Sequence, residues 1–134
     1  GVVLTVQQAM PLLGKGSSVI IIGSTASADP GPTMSIYGAT KAAVRNMVRS
    51  WITELHGTGI RINIVSPGPV NTASLRAAFG DNAEEGIAFL TAKSPLGRIG
   101  EPEEIASVVS FLASDASSYV NGIELFADGG ASQT

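Results

Sequence analysis

Three short apolar runs, at 18–23, 60–66 and 123–127, alternate with stretches whose apolar residues recur at helical spacing, and this alternation restricts the fold more than any other feature of the chain. The first run, Val19-Ile20-Ile21-Ile22, is uninterrupted and β-branched, the pattern of a strand covered on both faces. Before it, Val3, Val6, Met10 and Leu13 form a helical stripe over 1–13 that Gly14-Lys15-Gly16 stops. After it, Ala28-Asp29-Pro30-Gly31-Pro32 is turn chemistry, and a helix is predicted from Ser35 as N-cap, with Val44, Val48, Trp51, Ile52 and Leu55 on its buried face. Gly57 and Gly59 end that helix, and Pro67-Gly68-Pro69 breaks the second strand. The polar, Ala-rich stretch 71–100 is expected to hold one or two short helices. Pro102 with Glu101, Glu103 and Glu104 marks another helix start, followed by Ile105, Val108, Val109 and Leu112 at i, i+3, i+4 and i+7.

Strands separated by helices imply an α/β fold with a parallel sheet. All three strands then point the same way. Their carboxyl ends carry Ser24, Pro67-Gly68 and Asp128-Gly129-Gly130, on the edge where open α/β sheets bind ligands. At 134 residues the chain is long enough for one domain, and a second is not expected. Gly1 is not a methionine and the helical stripe starts at once, so 1–134 is expected to be a single partial domain, a fragment that begins inside an element.

On that edge, Tyr37 and Lys41 are one helical turn apart and follow Ser24. Residues four apart on a helix face the same way. A phenol ordinarily ionises near pH 10, and bringing that to about 7 takes roughly 4 kcal/mol of preference for the anion. One ammonium at about 4 Å and an effective dielectric of about 20 contributes roughly that amount. The spacing therefore permits a phenol tuned for general acid/base work. Taken singly, a Tyr and Lys four apart are more often a solvated pair, and a serine at a strand end a turn cap; it is their convergence that favours a site.

Other features are read as structural. His56, the single histidine, sits at a helix end without partner ligands, so no metal site is expected. Asn63 is expected to be a hydrogen-bonded residue of the second strand, Trp51 a core or interface aromatic, and Asp128-Gly129-Gly130 a turn. Gly14-Lys15-Gly16-Ser17 is not a phosphate loop, because its glycine spacing is wrong and it precedes a strand. The formal charge of −3 offers no electrostatic reason for nucleic acid or an anionic membrane as partner. No apolar stretch approaches the roughly 20 residues that span a bilayer. With no cysteine, disulfides and thiol catalysis are excluded within these residues, which fits a cytoplasmic setting.

These residues resemble the short-chain dehydrogenase/reductase family, whose site is a serine at a strand end, a tyrosine thirteen residues on and a lysine four further. Ser24, Tyr37 and Lys41 fall at those intervals. Ser66-Pro67-Gly68-Pro69-Val70-Asn71-Thr72, Pro95-Leu96-Gly97-Arg98, Gly100-Glu101-Pro102-Glu103-Glu104-Ile105-Ala106 and Asp128-Gly129-Gly130 are similar to it as well. The resemblance implies part of a Rossmann-like doubly wound sheet, the last three strands with their helices. It also implies an NAD(P)-dependent oxidoreductase that interconverts an alcohol and a ketone, aldehyde or 3-oxoacyl-type carbonyl. By it, Tyr37 transfers a proton to or from the substrate oxygen, Lys41 stabilises the phenolate and bonds the cofactor ribose, and Ser24 holds the substrate oxygen. Pro67 and Gly68 form the turn beside the nicotinamide, the Val70 backbone meets the carboxamide, and Thr72 meets the carboxamide or a phosphate. The segment after Asn71 resembles a substrate lid, and the helices at 1–13 and 36–55 resemble those that build homodimers and homotetramers.

The Gly-x-Gly-x-x-Gly turn that receives a pyrophosphate is not in the sequence. The resemblance places that half, the family's active-site asparagine and the residue choosing between NAD and NADP ahead of Gly1. The 134 residues alone are therefore expected neither to bind a dinucleotide tightly nor to turn over. Isolated, the apolar edge at 18–23 is expected to make the chain poorly soluble, which a monodisperse monomer at high concentration would contradict. Two other readings are a non-catalytic assembly module and a hydrolase with Ser24 as nucleophile. The hydrolase is the poorer, because Gly23-Ser24-Thr25-Ala26-Ser27 lacks the Gly-x-Ser-x-Gly elbow.

Overall fold

The structure, a computed structural model, describes residues 1–133. In chain order the elements are α1 (Val2–Ala9), β1 (Ser18–Ile22), α2 (Ser35–Glu54), β2 (Arg61–Pro67), α3 (Ala73–Phe79), α4 (Ala83–Lys93), α5 (Pro102–Ala113) and β3 (Glu124–Ala127). The strands form one parallel sheet in the order β1-β2-β3, with Ile22 opposite Val65 and Ser66 opposite Phe126. This is the α/β arrangement the alternation predicts. The last three strands and their flanking helices match the Rossmann-like part expected.

Side chains of a strand alternate between the two faces of its sheet. On one face Ile21, Ile62 and Ile64 pack with Val6 of α1 and Val44 and Val48 of α2 into a closed core, which Trp51, Ile52 and Leu55 border. On the other, α5 lies over β1 and β2 with Leu112 fully buried. Covered on both faces, β2 is buried from Ile62 to Ser66, which is why its sequence reads as a nearly unbroken apolar run. Its one amide is satisfied: Asn63 Nδ2 donates to the Val120 carbonyl at 3.0 Å, and Oδ1 accepts from the Ile123 N–H at 3.1 Å. The side chain thereby fixes the entry to β3, the structural role expected of it. At the carboxyl end of α5, where helix carbonyls lack internal partners, the Leu112 oxygen accepts from Ser18 Oγ at 2.8 Å and Arg61 Nη1 at 3.0 Å.

Boundaries shift where local chemistry decides. The first helix stops at Ala9 and tightens into a 3-10 turn over Met10–Leu12, because Pro11 brings no N–H to continue an α-helix. Ser35 is not the N-cap of α2. That position is Met34, whose carbonyl accepts the Gly38 N–H at 2.7 Å, and Thr33 at φ 66° turns the chain into the helix. The 71–100 stretch holds two short helices, α3 and α4, which pack on each other with the Phe79 ring seated over Gly86.

The start of α5 is built as its sequence implies, with Pro102 at its first turn and Glu104 Oε2 accepting the Glu101 N–H at 2.8 Å. Glu104 also takes both Arg98 Nη atoms at 2.7 Å. The Arg98 hydrogen bond, then the Glu101 N–H, hold the Glu104 carboxyl at about 2, below its ordinary value. A depressed carboxyl stabilises the fold above its unfolded pKa, and that stabilisation is lost as pH falls through the folded value. The clasp is therefore expected to stay ionised from neutrality through pH 4.5 and to open as pH approaches 2. An NMR titration of the Glu104 carboxyl carbon checks this, and a midpoint near 4.5 would contradict it.

Candidate active site

The parallel sheet brings the carboxyl ends of all three strands to one rim. At the end of β1 the ladder runs one residue further, through the Gly23 N–H to the Val65 carbonyl at 2.7 Å. Gly23 has no room for a Cβ, which would collide with Ser66 Oγ and stand 2.8 Å from Ile64 Cγ2. The chain then leaves the sheet at Ser24, whose Oγ accepts the Ala26 N–H at 3.2 Å and caps a 3-10 turn over Thr25–Ser27. Ser24 thus has the turn-capping role. Its hydroxyl hydrogen is still available to donate.

The first turn of α2 docks on that 3-10 turn through Gly38, a buried position the sequence reading passed over. A Cβ there would lie 2.8 Å from the Ala26 carbonyl oxygen and 2.8 Å from Pro30 Cβ. Next to it, Tyr37 is 44% exposed at the rim. Lys41 Nζ donates to the Ile22 carbonyl at 3.1 Å and stands 5.7 Å from the centroid of the Tyr37 ring. One ammonium therefore joins the end of β1 to the phenol-bearing turn of α2. Gly38→Ala is expected to push these two turns apart. Backbone oxygen cannot yield as a flexible side chain does, so a loss of about 1–3 kcal/mol in stability is expected, read as a lower Tm. An unchanged Tm would mean that the turns are not held by this approach.

The second group of predicted residues lies at the end of β2. The Gly68 N–H donates to the Ala127 carbonyl at 3.1 Å, and a Cβ on Gly68 would stand 2.7 Å from Asp128 Cβ, so the turn after Pro67 is pressed against the end of β3. Val70 forms a parallel bridge with Gly100 in which the Pro69 carbonyl and the Asn71 N–H make the two bonds, at 3.0 and 2.8 Å. Among the described residues, the N–H and C=O of Val70 itself have no partner, and in such a bridge they point away from Gly100. Thr72 is the N-cap of α3, its Oγ1 accepting the Leu75 N–H at 3.2 Å. Asn71 Nδ2 reaches the Glu101 carboxylate at 3.2 Å, tying the start of the 71–100 segment to α5.

Asp128 is a turn residue, as expected, its carboxylate accepting the Gly130 and Ser132 N–H groups at 2.9 Å. Burial opposes its charge, but the hydrogen bonds from Ser132 and Gly130 outweigh burial and hold the carboxyl below its ordinary value. A cavity of about 480 Å³ lies between α5 and β3, lined by Leu96, Ile105, Val108 and Phe126 among others; Ser24, Tyr37 and Lys41 do not line it. His56 is exposed beyond the far end of α2, and a 20-residue helix is about 30 Å long. Of the described residues, the single histidine is therefore remote from Ser24. Among the described residues, no group of three potential metal ligands occurs and no helix is long and apolar enough to cross a membrane.

Sequence reasoning also missed Glu124, whose side chain is 7% exposed. A lone carboxylate inside Ile123-Glu124-Leu125-Phe126 was the available signal, since charged residues are rarely buried without a partner.

The chain is similar to known proteins over nearly its whole length. The family model described as enoyl-(acyl carrier protein) reductase matches residues 1–132. Oxidoreductase asL5 of Sarocladium schorii is 42% identical over 135 residues, covering 99% of this chain and 53% of the relative. The 3-oxoacyl-[acyl-carrier-protein] reductase FabG of Thermotoga maritima is 38% identical, covering 97% of this chain and 52% of the relative. The crystal structure of a short chain dehydrogenase family protein from Francisella tularensis superposes with a TM-score of 0.91 at 29% identity, over 98% of this chain and 57% of that one. A gluconate 5-dehydrogenase from Burkholderia cenocepacia, solved with NADP and tartrate, superposes with a TM-score of 0.80 at 37% identity, over 89% of this chain and 46% of that one. The chain spans about half the length of the curated relatives it matches.

Proposed function

Because the chain belongs to the short-chain dehydrogenase/reductase family, we propose that it forms the catalytic and substrate-binding half of an NAD(P)-dependent oxidoreductase that interconverts an alcohol and a ketone or aldehyde, 3-oxoacyl-type carbonyls included. The observation that carries this reading is the Lys41 ammonium, which bonds the Ile22 carbonyl and lies beside the Tyr37 ring. In this reading Ser24 Oγ–H holds the substrate oxygen, Tyr37 Oη gives or takes its proton, and Lys41 favours the phenolate and bonds the ribose.

The rim fits a nicotinamide. The N–H and C=O of Val70 are paired with nothing among the described residues and match the acceptor and donor of a carboxamide. Gly68 at the turn after Pro67, and the Thr72 hydroxyl beside Val70, complete the residues that would hold it. When bound, the nicotinamide supplies or accepts the hydride.

We further propose that the enzyme works in the cytoplasm as a homodimer or homotetramer, with α1 and α2 against another copy. Exposed Val3, Leu4 and Leu12 support that face. The test is a titration of the full protein with NAD and NADP, followed by carbonyl reduction and alcohol oxidation assays alongside size-exclusion chromatography. Binding and turnover support the enzyme; assembly without affinity for either cofactor would favour the non-catalytic assembly module.

A further inference from the structure

We infer that Glu124 is a positioning residue, a buried carboxylate that fixes the Ser24 turn against the helix bearing Tyr37 and Lys41. Its Oε1 accepts from Ser27 Oγ at 2.6 Å and from Ser66 Oγ at 2.6 Å. Its Oε2 stands 3.0 Å from Arg45 Nε, an ion pair whose geometry falls short of a directed hydrogen bond. Each partner belongs to a different segment of the site. Ser27 closes the turn that Ser24 caps, through its N–H to the Ser24 carbonyl at 2.9 Å. Ser66 immediately precedes Pro67-Gly68, and Arg45 lies one helical turn beyond Lys41.

The chemistry makes the arrangement selective. An ionised carboxylate only accepts hydrogen bonds, so the Ser27 and Ser66 hydroxyls are both committed as donors to one oxygen. Bonds to a charged acceptor are shorter and stronger than neutral ones, which matches 2.6 Å. Removing a carboxylate from water is costly, and an apolar residue would fill a strand position as well or better for stability alone. Here that cost secures three segments to one atom group. Such a link acts on the reacting geometry, where a displacement of about 1 Å can cost about 100-fold in rate.

This inference rests on the proposed function, and its test separates the two. In the full protein, Glu124→Gln keeps an oxygen for the two serines but loses the attraction for Arg45, and Ser27→Ala cuts the tie to the Ser24 turn alone. Each is expected to lower kcat by about 10-fold or more, with the KM for cofactor within about twofold, and the double variant to lose less than the product of the two. Amide exchange over 24–28 is expected to accelerate while that of β2 does not. Leu112→Ala opens the core on the opposite face; it is expected to lower Tm further than Ser27→Ala yet keep kcat within about twofold. Unchanged kcat in both Glu124→Gln and Ser27→Ala, or a kcat loss in Leu112→Ala that follows its loss of Tm, would overturn the inference. If the unsubstituted protein has no turnover, the proposed function fails; exchange over 24–28 then decides, with acceleration supporting the positioning role and none overturning it.

Discussion

Tyr37→Phe is expected to lower kcat by about 10²- to 10⁴-fold, the range over which a positioned general acid or base accelerates a reaction. The substitution removes one oxygen and keeps the ring. The Lys41 ammonium, 5.7 Å from the ring centroid, retains the aromatic face that attracts it and its bond to the Ile22 carbonyl. Tyr37 is 44% exposed, so no buried partner is left unsatisfied. Tm should therefore stay within about 2 °C, since surface substitutions away from such features change stability by about 0.5 kcal/mol or less. The change should fall on kcat far more than on the KM for cofactor, because the proposed role of the lost oxygen is proton transfer. Steady-state kinetics with a thermal melt checks both halves. A rate within a few-fold of the original would remove the phenol from the mechanism.

The second large effect is expected from Lys41→Met, which keeps the length of the apolar stem and deletes the charge. Loss of the ammonium removes the charge that the proposed mechanism sets beside the phenol and the donor it sets on the ribose, so a fall of about 10- to 100-fold in kcat is expected. Because Lys41 also anchors to the Ile22 carbonyl, the variant loses a charge-assisted bond between α2 and the end of β1. Lys41→Arg should restore part of the rate, since charge returns while the point donor becomes a planar fork. A Met variant with full activity would show that the ammonium serves packing alone.

The parallel sheet was legible because its cause is local. A strand covered on both faces is apolar along most of its length, as β2 is apart from Asn63 and Ser66, while β1 carries the same apolar run with only Ile21 buried; helices must be apolar on one stripe, and α2 and α5 are. Tyr37 and Lys41 were legible for the same reason, since one helical turn sets their relation. The parts that escaped depend on contacts between distant residues. Gly38 is required by the Ala26 carbonyl and by Pro30, which only folding brings near. Glu124 is joined to Ser27 across 97 positions of sequence. Ser35 has the composition of a cap, yet Thr33 in the left-handed region turns the chain one residue earlier and Met34 takes that place. At Ser24 and Thr72 the observed capping is compatible with the proposed role, because a hydroxyl that accepts one N–H keeps a hydrogen to donate.

The account rests on Tyr37, Lys41 and Ser24 serving one reacting oxygen. A crystal structure of the full protein with nicotinamide cofactor and an alcohol or carbonyl substrate tests this most directly. Tyr37 Oη and Ser24 Oγ are both expected within about 2.6–3.2 Å of the substrate oxygen, with Lys41 Nζ on the ribose. A substrate oxygen held by other groups, with Tyr37 Oη turned to solvent, would contradict it.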